Sequence, residues 1–166
     1  NANGSTSHHG QPSDKAVLGR VNRLYASAEM WPELLENLRF CVSIAEDVVI
    51  EPDAVVHPFT VIRGPTRIAA RAEIGPHAVV VDSIVGAEVN IGPFCYLRPG
   101  TVLEAGAKAG TFVELKNTRI GERSKVPHLT YLGDADVGAD TNIAAGNITA
   151  NQEHTRAKER TTIGSN

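Results

Sequence analysis

The chain has 166 residues, a formal net charge of −3 and 5% aromatic residues. That balance excludes the basic footprint of a nucleic-acid or anionic-membrane binder, no apolar run reaches membrane-spanning length, and so few rings exclude a core built on large aromatics. Cys41 and Cys95 are too few for a disulfide framework and have no metal-ligand spacing.

The opening NANGSTSHHGQPSDK is polar and lacks the basic flank and apolar stretch of a signal peptide. Residues 1–15 are therefore expected to be disordered and the protein cytoplasmic. Residues 16–45 read as a helical connecting segment, with a short helix from about Pro32 to Phe40 whose Leu34, Leu35 and Leu38 could pack against the segment that begins at residue 46. The chain does not begin with methionine and stops at TTIGSN, which looks like the start of another repeat, so a fragment truncated at its C-terminus is expected.

Residues 46–166 are governed by a short period. From Ile50 it runs through Val56, Ile62, Ile68, Ile74, Val80, Val85, Ile91, Leu97, Leu103, Ala109, Leu115, Ile120, Val126, Leu132, Val137 and Ile143. Of the sixteen steps, thirteen are six residues and three are five. Two residues before each stands a small or β-branched side chain, from Val48 and Ala54 through Cys95 and Val113 to Thr141. Side chains two apart in a strand share a face, so both sets point inward. Glycine often follows the aliphatic residue, as at Gly92, Gly110 and Gly121, and relieves crowding beside a bend. Three short strands close a triangular coil of about 18 residues, and coils stack at roughly 4.8 Å. Period six does not match the 3.6 of a helix. The expected fold is mainly β, a parallel β-helix of hexapeptide repeats with about five triangular coils. The pattern alone does not set its hand; strict hexads are known in left-handed β-helices, and that form is expected.

Numbering by coil turns sequence into neighbours. Arg98 and Lys116 follow Leu97 and Leu115, 18 residues apart, and stack on one face in adjacent coils. Two outward cations so placed repel by roughly 1–3 kcal/mol at surface-like dielectric. A bound anion would remove that cost and suits the arginine fork; alternatively both side chains splay into solvent. His128, two residues after inward Val126, and Tyr131, just before inward Leu132, flank the corner leading into that face. On the residues alone, His128 is either a reactive group beside an anion site or one more polar surface residue. Cys95 fills an inward slot, and Asp134 and Asp136 are turn residues. His57 and His77 lie on different coils and form no zinc triad with His128, so no metal is expected.

LRPG, FVELKN, HLTYLGD and NIAAGNITAN, within residues 91–151, together resemble the acetyltransferase half of the bacterial bifunctional glucosamine-1-phosphate N-acetyltransferase and N-acetylglucosamine-1-phosphate uridylyltransferase. The resemblance implies that Arg98 and Lys116 bind the sugar phosphate and that His128 is the general base. Tyr131, Asn142 and Lys158 would contact the amino sugar, and Ala145 and Asn151 would approach acetyl-CoA, the co-substrate. It also implies a homotrimer with active sites between subunits, and magnesium only for the uridylyltransferase domain, which this chain lacks. The chain departs from the family after Asn151: Gln152-Glu153-His154 replaces the usual Tyr-Asp-Gly, with one extra residue before TTIG, and Ala144 stands where glycine is common. The alternative to an enzyme is a non-catalytic β-helix module for oligomerisation or regulation of a sugar-phosphate nucleotidyltransferase.

Overall fold

The computed structural model describes residues 42–151 and 159–166. The polar start and the helix expected from Pro32 to Phe40 lie outside them. Every strand pairing is parallel, and the strands wind into a triangular β-helix. The first face carries Val42–Ile44, Thr60–Arg63, Val79–Val81, Tyr96–Leu97 and the second halves of Lys108–Lys116 and Lys125–Gly133. The second face carries Val55–Val56, Glu73–Ile74, Asn90–Ile91 and the first halves of those two long strands. On the third lie Val49–Ile50, Arg67–Ile68, Ile84–Val85, Val102–Leu103, Arg119–Ile120, Ala135–Val137 and Thr161–Ile163.

The interior is the predicted double column. Val56 and every later aliphatic position through Ile143 is buried, and so is every small position from Ala54 to Ala135. Apart from Thr60, whose buried Oγ1 has no partner, the hydroxyls among them bond to carbonyls at the bends. Thr101 Oγ1 donates to Arg98 O at 2.7 Å, and Thr118 Oγ1 to Lys116 O at 2.9 Å. A polar atom is thus tolerated in the core because it satisfies a backbone group that the bend leaves unpaired. Cys95 is filler, as expected: burial pushes its thiol up to about 12.

The corners hold what the period does not disclose. Most corner residues with a left-handed backbone are not glycine; Phe94 and Phe112 both have φ 55 and Leu129 φ 38. Each such residue costs on the order of 1 kcal/mol, met here by amide bonds between coils such as Arg123 N–H to Ala105 O at 3.0 Å. Other glycines, outside the left-handed set, serve close approach. A Cβ on Gly110 would sit 2.0 Å from the Pro127 carbonyl oxygen of the next coil. At the corner joining the second face to the first, the left-handed residues form an outward ladder, Phe59, His77, Phe94 and Phe112, with ring centroids 4.8, 4.9 and 5.4 Å apart. Leu129 extends it, 65% exposed.

One boundary differs from the expectation. Val42–Ile44 is a strand in register with Thr60–Ile62, so coiling starts inside the segment read as helical connector, because Val42 packs against the core. At the other end, Thr161–Ile163 pairs with Ala135–Val137. The TTIG segment therefore does begin a further coil, after a longer excursion than any other corner makes. Among the described residues, no helix is long and apolar enough to cross a membrane.

Leu115→Ala should lower unfolding free energy by about 2–5 kcal/mol in a denaturant titration, since the packed column cannot collapse into the gap. A bulky thiol reagent should leave Cys95 unmodified until the coil unfolds. The Arg123 and Arg160 guanidiniums hold the Asp140 and Asp136 carboxyls below their ordinary range through direct hydrogen bonds. A depressed carboxylate stabilises the fold above its unfolded pKa and loses that contribution as pH falls through the folded one. Melting temperature should therefore drop below about pH 4, and less steeply in Asp136→Asn with Asp140→Asn.

Candidate functional site

The ladder register fixes an outward grid on the first face. Tyr96, Glu114 and Tyr131 are successive register partners, and Lys116 pairs with Gly133. Arg98 N–H donates to Leu115 O at 2.8 Å, which sets Arg98 beside Lys116 as expected. Thr101 and Ser83 hydroxyls both reach Arg98 O, fixing the backbone that presents this cation. His128 pairs with Thr111 at the corner. Moving from that corner across the face, one meets His128, then the Glu114–Tyr131 column, then the Arg98–Lys116 column.

Sequence reasoning missed Glu114. Arg98 Nη1 donates to Glu114 Oε1 at 2.9 Å, and the guanidinium carbon lies 6.0 Å from the Tyr96 ring centroid. The Glu114 hydrogen bond, and then its negative charge, raise the Arg98 pKa above its ordinary value. The two stacked cations are therefore not bare: a carboxylate already answers one of them, so repulsion alone does not require a bound anion. The signal was available, because Glu114 shares the outward column of Tyr96 and stands two residues before Lys116. No described side chain bonds the Lys116 ammonium or the His128 imidazole, and His128 is exposed.

The remaining candidates divide around the prism. Tyr131 lies on the first face, and its ring folds across Gly133, where a Cβ would meet the phenol oxygen at 2.4 Å. Asn142 bridges to Lys125 on the second face, beyond the corner from Arg98 and Lys116. The Gly146 N–H bond to Leu129 O, at 2.9 Å, puts Ala145 directly beneath His128 in the next coil. Asn151 is engaged in the scaffold: Nδ2 donates to Gly133 O and Asp134 O, both at 2.8 Å, while Oδ1 accepts from Thr161 Oγ1 at 3.0 Å. It clasps the two ends of the excursion, so its side chain is already committed. Lys158 lies outside the described residues. Among those described, no group of three or more metal-ligating side chains comes together.

The family described as Bacterial transferase hexapeptide (six repeats) matches residues 47–81. Curated relatives cover between 74% and 99% of the chain. The bifunctional protein GlmU of Syntrophomonas wolfei is 44% identical over 74% of the chain and 32% of its own length. That of Mycobacterium tuberculosis is 37% identical over 99% of the chain and 39% of its own length. The chain belongs to the GlmU family. It spans about a third of the length of its GlmU relatives, between 32% and 39% in these two. Solved structures agree on the fold. A hexapeptide transferase family protein of Anaplasma phagocytophilum superposes with TM-score 0.54 at 19% identity, covering 75% of this chain and 70% of that one. PerB of Caulobacter crescentus, in complex with CoA and GDP-perosamine, gives 0.51 at 19% identity, covering 70% of this chain and 59% of its own.

Asn151→Asp should destabilise the protein more than Asn151→Ala, by about 1–3 kcal/mol in chemical denaturation. The aspartate sets a charged oxygen against two carbonyls, whereas alanine only removes the bonds. Equal stability of the aspartate variant and the parent would mean that the clasp does not form.

Proposed function

We propose that this chain is the acceptor-binding part of a glucosamine-1-phosphate N-acetyltransferase that takes its acetyl group from acetyl-CoA. The observation that carries the reading is the register: Arg98 beside Lys116, on a face that ends at His128, in a chain of the GlmU family. The phosphate of the acceptor binds at Arg98 and Lys116, which supply charge-assisted donors. Tyr131, in the column between the cations and the corner, contacts the sugar ring.

The reaction is aminolysis of a thioester. The C2 amine nitrogen attacks the acetyl carbonyl carbon, the carbon–sulfur bond breaks, and the departing thiolate takes up a proton. His128 accepts the proton that the amine nitrogen loses as the amide forms. Ala145, one rung below His128, offers a small side chain where the acetyl group must approach. Asn151 approaches the co-substrate through its main chain, since its amide is held by the scaffold.

Asn142 stands on the neighbouring face, and this favours a site completed between copies. In a homotrimer, Asn142 of one copy would meet the cations of the next. Such an assembly also covers the exposed corner on which His128 stands.

The test is acetyl transfer to glucosamine-1-phosphate by the parent-length protein. His128→Ala should lower kcat by about 10²-fold or more with KM for the sugar phosphate little changed. Arg98→Ala should instead raise that KM by about tenfold or more. Full activity in His128→Ala overturns the general-base role. A parent protein without acetyl transfer, yet still oligomeric, supports the regulatory module instead.

A further inference from the structure

Among the described residues, Glu114 is the acidic group that lies inside the grid. Its carboxylate, with 40% of the side chain exposed, is bonded to Arg98 at 2.9 Å. It occupies the column between the cations and the His128 corner, flanked along the ladder by Tyr96 and Tyr131. Other cross-coil pairs, such as Arg123 with Asp140 and Arg119 with Glu104, lie at different corners and faces and touch no candidate site residue. A carboxylate beside an anion site is an electrostatic liability. A phosphate that engages Arg98 must displace Glu114 from it, then remain near an uncompensated negative charge.

A ligand that carries its own cation resolves the conflict. In a 2-amino sugar 1-phosphate the nitrogen is four bonds from phosphorus. With the phosphate on Arg98 and Lys116 and the amine directed to His128, the ammonium passes over the Glu114 column. We propose that Glu114 is a specificity-determining residue that exchanges its Arg98 partner for the ammonium of the acceptor, so that the pocket selects zwitterionic amino-sugar phosphates over neutral-sugar phosphates. This rests on the acceptor reading given above and adds to it a residue and a selection rule. Unliganded, Glu114 holds the Arg98 fork in place; liganded, it turns repulsion into attraction only when the ligand has an amine. Glu114 remains a binding group throughout: the bound ammonium first gives up one proton to solvent to free its lone pair, and the second proton, lost as the amide forms, goes to His128.

The experiment is calorimetric titration of the full chain and its Glu114→Gln variant with glucosamine-1-phosphate and, separately, with glucose-1-phosphate, which has a hydroxyl in place of the amine. The parent should prefer the amino sugar by about tenfold. Glu114→Gln should weaken glucosamine-1-phosphate about fivefold and tighten glucose-1-phosphate about twofold, because the anion no longer competes with a carboxylate for Arg98. Opposite signs for two ligands cannot come from a general loss of structure, and a thermal melt by circular dichroism checks that the variant folds. Parallel weakening of both ligands, or an unchanged preference, overturns the role of Glu114 and leaves the acceptor reading standing. If the parent binds neither sugar phosphate, the acceptor reading falls, and this inference falls with it.

Discussion

Backbone hydrogen bonding from each coil to the next is the constraint on which the rest of this molecule depends. Every ladder is parallel and nearly in step, so a residue's neighbours are the residues 17 or 18 positions away. In the register that joins the two long strands, Glu114 meets Tyr131 and Leu115 meets Leu132. A column spaced at roughly 4.8 Å leaves each inward side chain no freedom but to sit on its equivalent. Ile, Val and Leu fill the narrow interior at that spacing and large rings do not fit it, so Phe59, Phe94 and Phe112 stand at the outer corner, where they stack with His77. The same rule acts outward without regard for sign or chemistry. It places Arg98 beside Lys116 and then needs a third group, Glu114, to moderate them.

Such a scaffold is legible in sequence to the extent that its translational symmetry holds. The inward columns, the Cys95 filler and the stacking of Arg98 on Lys116 follow from counting, because a period of six repeated over the chain admits one geometry. Diagonal contacts do not follow so readily. Arg98 reaches Glu114 across sixteen positions, not eighteen, and whether a long side chain leans one way or the other is a matter of rotamer. The left-handed corners were hidden for a different reason. Phe94, Phe112 and Leu129 carry no local signature of positive φ; the ladders above and below impose it on them. The Asn151 clasp was hidden because its partners are two carbonyls and Thr161, brought together only when the excursion closes. The start expected to be disordered and the expected short helix fall outside the described residues, while the strand beginning at Val42 lies within the segment expected to be the connector.

The candidate site joins a rigid backbone to soft charges. Arg98 and Lys116 have their carbonyls tied by Thr101 and Thr118, inside the core, so the main chain that presents them does not move without breaking the coil. Their side-chain charges sit at the surface, where an ion pair is worth about 0–1 kcal/mol. A partner so weakly held can be exchanged for a ligand at little cost, while the rooted main chain keeps the ligand in register. Preorganisation and exchangeability, which compete in a buried site, are here assigned to different atoms.

Function in a molecule with this symmetry must come from places where the symmetry fails, and the failures are not scattered. The three five-residue steps run from Val80 to Val85, Leu115 to Ile120 and Leu132 to Val137. All three turn the same corner, from the first face to the third. Their left-handed residues are Asp82, Asn117 and Asp134, whereas the six-residue turns at that corner use Gly64 and Gly100. Asp and Asn adopt this conformation more readily than other side-chain-bearing residues, so the shorter turn keeps a polar group that the longer one gives up. The chain between Asn151 and Thr161 spans the same corner, from the first face to the third, and Asn151 is bonded to Thr161 across it. The opposite edge of that face, where His128 stands, keeps an unbroken six-residue step throughout. One edge of the site is thus held to strict period, which fixes the histidine against its neighbours, and the other is where length can vary. A scaffold built this way can vary the length of the turn on the Arg98–Lys116 edge without disturbing the register that holds His128.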